Sequence, residues 1–489
     1  MTKKKLTIVF VSAEAEPYSK TGGLGDVSGA LSLALSESGH DVHLVTPLYK
    51  AIDRKAHAIP GKGVKIKIQV SSRQPMAEVV SIKKGRLSVH FIKQNDYYNR
   101  DGLYNTKDGD HKDNAERFIF FSRAVLEAIK ALKIKPDVIH VNDWHTGLVP
   151  VYLRTLYKND PQLAKTKTLL TVHNLGHQGI FSERDWHLTG LDWGLFSSGL
   201  LEFSGAINIL KGGLLFADII TTVSDTYAKE IQTKELGCGL DSILRERADD
   251  LYGVVNGIDT NVWNPEKDKL IPKKFSVKNI SGKKICKQAL LKEMGLPDGN
   301  EPLLAVVSRL ADQKGLDMLG EVIDDILDSG AKLVLLGSGD KKLEKMFTDL
   351  AQDKPGKVAV RIGFDEGLAH RIEAGADIFL MPSRYEPCGL NQMYSLVYGT
   401  VPLVSSTGGL NDTVESYNPA TGKGNGFKFT EFTHTALKTT IQDAISLFIN
   451  EPATWYKIVK RGMKENHSWA IPAAIYEKLY IKTSLNRRR

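Results

Sequence analysis

The feature that most constrains the fold is an alternation of short apolar segments with segments of helical periodicity. The first apolar run, Leu6–Val11, is short and rich in β-branched residues, as buried parallel strands are. The apolar residues between Val27 and Leu35 recur at helical spacing, and Gly39 stands where a glycine commonly ends a helix. A second strand is predicted over Asp41–Thr46. Such strand–helix–strand units predict a parallel, doubly wound α/β sheet.

A glycine-rich loop, Lys20–Asp26, lies between the first strand and the first helix. Backbone N–H groups and the helix dipole favour an anion at the start of a helix, and Lys20 adds a positive charge. Asp26 is predicted as the N-cap of this helix. In a second interpretation the glycines only form a tight turn that lets the helix pack on the strand. The loop therefore predicts either a phosphate site or a structural turn.

The loop does not fit a dinucleotide-binding fingerprint. Gly23, Gly25 and Gly29 form a pattern one residue too long for G-x-G-x-x-G. The second strand ends in Thr46 and Pro47, without a carboxylate that could bind a ribose hydroxyl. A nicotinamide-dependent enzyme is therefore disfavoured.

The alternation of strands and helices lapses once and then restarts. The lapse, Val254–Pro265, is followed by further proline and a lysine-rich run, which are typical of a hinge. The pattern resumes at the apolar segment Leu303–Val307, and 489 residues are enough for two cores. We predict two doubly wound α/β domains, residues 1–255 and 256–470, and a final segment, 471–489, that packs back on the first.

Polar and aromatic side chains follow the predicted strands of the first half. Asp143, Trp144 and His145 come directly after one apolar segment, and His173 and Asn174 come after the next. Ligands bind at the carboxyl ends of strands in open α/β sheets. A mixture of acceptors, rings and donors is typical of a sugar site, although each residue could instead be a hydrogen-bonded polar group of the core.

Basic residues and glycines follow the strands of the second half. Arg309 and Lys314 precede a helix in a predicted strand-to-helix loop and suit a diphosphate, because both form charge-assisted hydrogen bonds. The alternative is a solvated surface pair. Gly408 and Gly409 offer N–H donors at the start of another helix. We expect these groups to face Lys20 across an interdomain cleft and to need no metal.

A proline-flanked turn follows a later apolar segment and contains Glu386. This carboxylate either binds a hydroxyl or stabilises a cation, or it is a helix-start acid that complements the dipole. Cys388 either lines a ligand or is an inert buried thiol. Tyr97, Tyr98 and Tyr104 either line a glucan groove or pack their own loop.

The charge and the cysteines disfavour several classes of protein. The formal net charge is +8, and six of these charges come from Lys3–Lys5 and Arg487–Arg489, which leaves +2, too little to indicate nucleic acid. Cys238, Cys286 and Cys388 form no C-x-x-C, which excludes the usual zinc spacings and a disulfide framework. No apolar run reaches membrane length. We therefore expect no metal, no membrane contact and a cytoplasmic protein with reduced thiols.

Taken in order, the motifs resemble those of bacterial glycogen synthases and plant starch synthases. The resemblance extends from about Leu6 to about Tyr480, and several such motifs in one chain are highly specific. It is carried by Lys20–Leu24 (KTGGL), Asp143–His145 (DWH), Thr171–Asn174 (TVHN), Ser308–Leu310 (SRL), Gln313–Gly315 (QKG), Pro382–Leu390 (PSRYEPCGL) and Thr407–Leu410 (TGGL).

The resemblance implies a glycosyltransferase B-type fold, with two Rossmann-like domains facing a cleft, and no cofactor. It implies retaining transfer of glucose from ADP-glucose to the non-reducing end of an α-1,4-glucan such as glycogen. The implied catalytic residues are Glu386, His173, Asp143, Lys314 and Arg309. The implied substrate-binding residues are Lys20, Gly22, Gly23, Asp26, Tyr104, Trp144, His145, Asn174, Asn256, Phe364, Cys388, Gly389, Leu390, Thr407, Gly408 and Gly409.

The chain departs from the family pattern at three places. Phe364 stands where a Tyr beside the adenine is common, Asn391 where a Thr is common, and His140–Asn142 (HVN) where His-Ala-His is more usual. Other interpretations stay open: a B-type glycosyltransferase that uses UDP-glucose or a small-sugar acceptor, a glucan phosphorylase, or a catalytically silent glucan-binding protein. The sequence does not decide between a monomer and a homo-oligomer.

Overall fold

The structure, a computed structural model, describes residues 5–485. Lys3, Lys4 and Arg487–Arg489, which carry most of the predicted terminal charge, lie outside the described residues, as does the end of the predicted segment 471–489. The chain forms two compact units. Unit 1 runs to Val223 and includes Ala228–Asn256 and the chain from Trp469 onward, and unit 2 consists of Ser224–Tyr227 and Gly257–Ser468.

The secondary structure alternates as the sequence pattern predicts. The strands between residues 5 and 485 are β1 (Thr7–Val11), β2 (Asp41–Pro47), β3 (Val64–Lys67), β4 (Met76–Lys84), β5 (Leu87–Lys93), β6 (Asn105–Thr106), β7 (Gly109–Asp110), β8 (Val138–Asn142), β9 (Lys167–Val172), β10 (Ile180–Ser182), β11 (Glu202–Phe203), β12 (Ala206–Asn208), β13 (Ile219–Thr222), β14 (Leu251–Gly253), β15 (Leu303–Leu310), β16 (Lys332–Gly339), β17 (Val358–Ile362), β18 (Ile378–Met381), β19 (Val401–Ser405) and β20 (Phe427–Phe429).

The α-helices connect these strands and cover the two sheets. Within the same residues they are α1 (Gly23–Glu37), α2 (Asn95–Tyr98), α3 (Asn114–Ala131), α4 (Leu148–Arg154), α5 (Trp186–Thr189), α6 (Gly194–Ser197), α7 (Ile209–Phe216), α8 (Asp225–Glu230), α9 (Asp241–Glu246), α10 (Ser281–Glu293), α11 (Leu316–Asp328), α12 (Lys341–Asp353), α13 (Glu366–Gly375), α14 (Asn391–Tyr398), α15 (Gly408–Thr413), α16 (His434–Asn450), α17 (Pro452–Gly462) and α18 (Ala470–Leu485).

The main sheet of unit 1 has the strand order β14-β13-β9-β8-β1-β2-β5-β4-β3. The strands from β14 to β5 are parallel, and β4 and β3 add an antiparallel edge. From β1 the chain first proceeds toward β2 and β5 and later returns to β8 on the other side. The order therefore reverses between β1 and β8, which is a topological switch point.

The sheet of unit 2 is parallel throughout, with the order β17-β16-β15-β18-β19-β20. Its strands are rich in buried aliphatic residues because helices cover both faces. Here the order reverses between β15 and β18. Each unit thus has one switch point, where ligands bind in doubly wound sheets.

Helix α1 begins one residue after its N-cap, Gly22, which is extended with a φ of −166°. The prediction that Asp26 is the N-cap was therefore wrong. Asp26 lies in the first turn, where a carboxylate complements the helix dipole, and it accepts a hydrogen bond of 2.6 Å from Lys20 Nζ. At the other end Gly39 has a φ of 99°, which fits the predicted terminating glycine.

Strand β15 extends further than its apolar run indicates. It pairs with β16 through Leu310, so that Arg309 lies opposite Ser338 inside the strand. The prediction that Arg309 belongs to the following loop was therefore wrong. The apolar pattern ends earlier because Ser308 is only half-buried and Arg309 is exposed, although Leu310, the last residue of the strand, is buried again.

The last described helix, α18, packs against α1 and β9 of unit 1. The buried His140 of β8 lies between the hydroxyls of Tyr480 (2.7 Å) and Thr171 (2.6 Å). Burial holds the pKa of His140 well below its usual value, so the ring is neutral at pH 7. None of the helices in residues 5–485 combines the length and the apolar character that crossing a bilayer requires.

Candidate functional site

Each unit places predicted site residues at the carboxyl ends of the two strands that flank its switch point. In unit 1 the glycine loop Lys20–Asp26 follows β1, and Asp143 follows β8. In unit 2 Lys314 follows β15, and Glu386 follows β18. Because the crevice outside such strand ends is the usual ligand site of a doubly wound sheet, both positions are candidate binding sites.

An ion pair lies at the switch point of unit 2. Lys314 Nζ donates to Glu386 Oε2 at 2.5 Å, and Ser383 Oγ donates to the same oxygen at 3.1 Å. Glu386 is only 6% exposed, and a buried carboxylate needs such partners to stay ionised. An ammonium group has three N–H donors, so the contact with Glu386 leaves Lys314 able to bind further oxygen atoms.

Glycines allow the loops around this ion pair to pack backbone against backbone. A Cβ on Gly315 would lie 1.9 Å from the carbonyl oxygen of Pro382, and one on Gly408 would lie 1.9 Å from that of Glu386. Both glycines also have a positive φ. Gly409 N–H donates to the carbonyls of Glu386 (3.2 Å) and Pro387 (3.1 Å). The prediction that Gly409 offers its N–H to an anion was therefore wrong, because it fixes the Glu386 loop instead.

The other predicted residues of this loop build its shape. Cys388 is buried, Gly389 has a φ of 73°, and Leu390 is the N-cap of α14. Asn391 Nδ2 donates to the carbonyl of Val307 at 2.8 Å, which fastens the start of α14 to β15. Thr407 is the buried N-cap of α15.

Arg309 and Phe364 lie apart from this packing. The side chain of Arg309 is exposed and makes no hydrogen bond or ion pair within residues 5–485. Phe364 follows β17 and is 90% exposed. An unpaired guanidinium and an open aromatic face are both available to a ligand at this edge of the sheet.

In unit 1, Asp143 is held in an unusual conformation directly after β8. Its φ is 54°, and its carboxylate accepts a hydrogen bond of 2.7 Å from the backbone N–H of His173. The pKa of Asp143 is raised to about 7, mainly by burial; the nearby Glu14 also raises it, and the N–H groups of His173 and Asn174 lower it. The carboxyl group is therefore poised between its two protonation states at neutral pH.

His173 is fixed at both its backbone and its ring. The ring Nε2 lies 2.9 Å from Asn142 Oδ1, and the backbone N–H binds Asp143. Burial lowers the pKa of His173 to about 3, so the ring is neutral at physiological pH. The residue is suited to positioning a ligand rather than to supplying a positive charge.

Three predicted rings of unit 1 pack together. The ring centroid of His145 lies 4.0 Å from that of Trp144 and 4.7 Å from that of Tyr104. Burial holds the pKa of His145 well below its usual value, and its Nδ1 accepts or donates no hydrogen bond among the described residues. Tyr97 and Tyr98 are also buried but pack against Phe120, so they belong to the core of their loop and not to a groove.

The glycines of the loop after β1 fall into two groups. A Cβ on Gly29 would lie 2.0 Å from the carbonyl oxygen of Glu16, and one on Gly25 would lie 3.1 Å from Lys20 Cβ. A Cβ on Gly22 or Gly23 would meet nothing within 4 Å. Packing thus explains Gly25 and Gly29, whereas open space beside Gly22 and Gly23 is what close approach of a ligand to the backbone requires.

Glu14 is a buried residue that binds this loop and that the sequence did not predict. Its carboxylate accepts hydrogen bonds from Thr21, Gly22 and Tyr104. A single acidic residue between a strand and a glycine loop forms no motif. The sequence shows only that a charged residue follows the apolar run Leu6–Val11. The predicted substrate-binding residue Asn256 is the last residue of the unit 1 segment Ala228–Asn256. It is buried, and its Oδ1 accepts no hydrogen bond in the described chain.

Each unit has its own set of candidate groups: a lysine, a poised carboxyl group and packed rings in unit 1, and two basic residues and a buried carboxylate in unit 2. Lys20, Arg309 and Lys314 can bind phosphate oxygens, and Glu386 and Asp143 can bind hydroxyls. Within residues 5–485, no three or more His, Cys, Asp or Glu side chains lie close enough together to hold a metal ion.

Two family descriptions match separate parts of the chain. The family described as the starch synthase catalytic domain matches residues 7–246, and the family described as glycosyl transferases group 1 matches residues 288–460. The two matches fall on the two halves of the chain.

Bacterial glycogen synthases are similar to this chain over nearly its whole length. The glycogen synthase of Anaeromyxobacter dehalogenans (strain 2CP-C) is 47% identical over 477 residues, which are 97% of this chain and 99% of the relative. That of Koribacter versatilis (strain Ellin345) is 44% identical over 479 residues, which are 97% of this chain and 98% of the relative.

Two solved structures are also similar. The catalytic domain of starch synthase IV from Arabidopsis thaliana, bound to ADP and acarbose, is 32% identical with a TM-score of 0.90, and the match covers 99% of this chain and 100% of that one. Sucrose-phosphate synthase from Thermosynechococcus elongatus is 19% identical with a TM-score of 0.59 over 98% and 99%, which shows a shared fold. The fold class predicted from the sequence is thereby confirmed.

Proposed function

This chain belongs to the glycogen synthase and starch synthase family of retaining glucosyltransferases, and we propose that it transfers glucose from ADP-glucose to the non-reducing end of an α-1,4-glucan. The observation that carries the proposal is the buried Lys314–Glu386 ion pair at the switch point of unit 2. In this pair Lys314 is a cation that can bind a diphosphate, and Glu386 beside it is a carboxylate that can bind a hydroxyl of the glucosyl group.

The donor diphosphate is assigned to the basic groups of unit 2. Arg309 can bind phosphate oxygens through its planar guanidinium, which has no other partner in residues 5–485, and Lys314 through the N–H donors that Glu386 does not use. Phe364 is assigned to the adenine, because its exposed ring can stack on a base but has no hydroxyl to donate. These assignments leave Glu386 for the glucosyl group.

The glucosyl group and the acceptor are assigned to unit 1 as well. Gly23, at the open start of α1, and Lys20 can approach the donor. We assign Asp143, which accepts the backbone N–H of His173, and the carbonyl of His173 to the sugar hydroxyls or to a developing positive charge. Tyr104, Trp144 and His145 form a ring cluster that suits the acceptor glucan. We propose that one donor molecule contacts groups of both units during transfer.

The proposed reaction breaks the bond between the glucosyl carbon and the diphosphate oxygen. The acceptor 4-hydroxyl attacks from the face that the diphosphate leaves, and its proton passes to the leaving oxygen, so that configuration is retained. Lys20, Arg309 and Lys314 stabilise the negative charge that develops on ADP. Glu386 and the carbonyl of His173 stabilise the oxocarbenium-like sugar.

The neutral state of His173 is consistent with this mechanism. A positively charged His173 ring would raise the energy of an oxocarbenium-like sugar beside it. Burial lowers the pKa of His173 and so keeps the ring uncharged. We also propose that the reaction takes place in the cytoplasm, which the similarity to bacterial glycogen synthases supports.

Initial rates with ADP-glucose and with UDP-glucose on one glycogen primer test the donor and the acceptor together. We expect ADP release with ADP-glucose to be the faster reaction and labelled glucose to appear in polymeric product. Preference for UDP-glucose, or label only in a disaccharide, would indicate a different transfer. No nucleotide release with either donor would indicate a glucan-binding protein.

A further inference from the structure

Glu14 is a buried acid for which the proposed reaction has no direct role. It lies three residues beyond β1 and is only 3% exposed. A carboxylate at such a depth is tolerated only if hydrogen bonds replace the water it has lost. Its partners therefore indicate what the residue does.

Both carboxylate oxygens of Glu14 are fully used. Oε1 accepts from Thr21 Oγ1 and from the Tyr104 hydroxyl, each at 2.7 Å. Oε2 accepts from the backbone N–H groups of Thr21 (2.6 Å) and Gly22 (3.3 Å). Three of the four donors belong to the glycine loop, so Glu14 is a built-in anion that fixes the loop just before α1 begins.

The fourth donor connects the loop to a distant part of the sequence. Tyr104 lies 90 residues from Glu14 in the chain, and its ring packs 4.7 Å from that of His145. Thr21, from the loop, and Tyr104, from the ring cluster, share the single oxygen Oε1. Movement of either partner must therefore be transmitted to the carboxylate.

We propose that Glu14 is a positioning residue that holds the glycine loop and Tyr104 in a fixed arrangement, so that donor binding and glucan binding depend on each other. The inference rests on the proposed function, which assigns the donor to the loop and the glucan to Tyr104. A coupling of this kind is reciprocal. A change on the glucan side must weaken binding of the sugar-nucleotide donor, and a change on the loop side must weaken binding of the glucan.

Single hydroxyl deletions on the two sides test this coupling. Tyr104→Phe removes a glucan-side donor to Glu14, and Thr21→Val removes a loop-side donor. We expect Tyr104→Phe to raise the KM for ADP-glucose, and Thr21→Val to raise the KM for maltotetraose, each by about tenfold, the effect of one lost hydrogen bond to a charged group. Because both act through one carboxylate, the double variant should fall short of the product of the single effects.

A pH profile supplies a readout that a purely structural role would not move. The charge of Glu14 raises the pKa of Asp143, while the N–H groups of His173 and Asn174 lower it. Glu14→Gln removes that charge, so the pKa of Asp143 should fall. Because the ionised form of Asp143 is the one that would stabilise a developing positive charge, the acid limb of the kcat profile should move to lower pH. Glu37→Gln, an exposed position near the end of α1, is the matched control and should leave the profile and both KM values unchanged.

The outcomes separate this inference from the proposed function. If the wild type transfers glucose but each single variant alters only the KM of its own substrate, with effects that multiply in the double variant, the coupling through Glu14 is refuted. If the wild type releases no ADP from ADP-glucose with glucan present, the proposed function itself fails. Should Glu14→Gln not fold, the two hydroxyl variants carry the test, since each removes one oxygen atom.

Discussion

Glu386 and Asp143 are both buried acids, and their surroundings give them opposite properties. Glu386 has a lysine at 2.5 Å, so its negative charge is compensated within unit 2. Asp143 has only N–H donors and another acid nearby, and its pKa rises to about 7. Glu386 is therefore held by a cation, while Asp143 can change its charge near neutral pH. Residue type alone does not distinguish these two carboxyl groups.

Lys314→Ala and Glu386→Ala should each lower kcat by at least about a hundredfold, the effect of one lost electrostatic group in an active site. Steady-state rates with ADP-glucose and glycogen measure this loss. The surface pair Lys341–Glu344 offers a matched control, because Lys341→Ala removes an ion pair of 2.6 Å from an exposed position. Near-normal rates in both site variants would remove the ion pair from the active site.

Asp143→Asn should change how stability depends on pH. The pKa of Asp143 is raised from 3.8 to about 7 on folding, so the acid favours the folded state most at low pH. That contribution is lost as the pH rises from about 4 to about 7. Between pH 5 and pH 8 the wild type should lose about 3 kcal/mol of unfolding free energy through this group.

Urea unfolding of the wild type and the Asp143→Asn variant at the two pH values measures the difference. The unfolding free energy of the variant should not fall by this amount between pH 5 and pH 8. Relative to the wild type, the variant should therefore be more stable at pH 8 than at pH 5. An identical pH dependence in both proteins would show that Asp143 titrates normally.

At the scale of elements, the loops after the strands were predicted better than their boundaries. The glycine loop after β1 and the polar ends of β8, β15 and β18 followed from apolar runs that end in glycine, acid or base. The cap of α1 and the end of β15 did not, because hydrogen bonding continues past the apolar pattern. The role of Glu14 could not be predicted, since its partner Tyr104 is brought close only by the fold.

The glycines of the first loop should respond differently to alanine. Gly29→Ala places a methyl group 2.0 Å from a backbone carbonyl and should lower the melting temperature, whereas Gly23→Ala points into open space and should leave it nearly unchanged. If a donor approaches Gly23, that variant should instead raise the KM for ADP-glucose. Thermal unfolding and initial rates of both variants check the contrast. Equal loss of stability would contradict the assignment of Gly23 to ligand contact.

At the scale of the whole molecule, the sequence pattern repeats the same architecture twice. Both units are doubly wound, and both place polar residues at their own switch point. The lapse near Val254–Pro265 indicated a division, and the two compact units separate at Asn256. What the pattern did not reveal is that Ser224–Tyr227 is assigned to unit 2, where Thr226 binds Asp412. A segment of four residues is too short to show an apolar periodicity, so its assignment to unit 2 could not be predicted from the sequence.

We propose that basic groups from both units bind one ADP moiety. Calorimetric titration of ADP into the wild type, Lys20→Ala, Lys314→Ala and the double variant tests it most directly. We expect each single variant to raise the Kd for ADP by about tenfold, as loss of a charge-assisted contact does, and the double variant to bind more weakly still. A normal Kd in either single variant would show that ADP is held by one unit alone and would contradict the account.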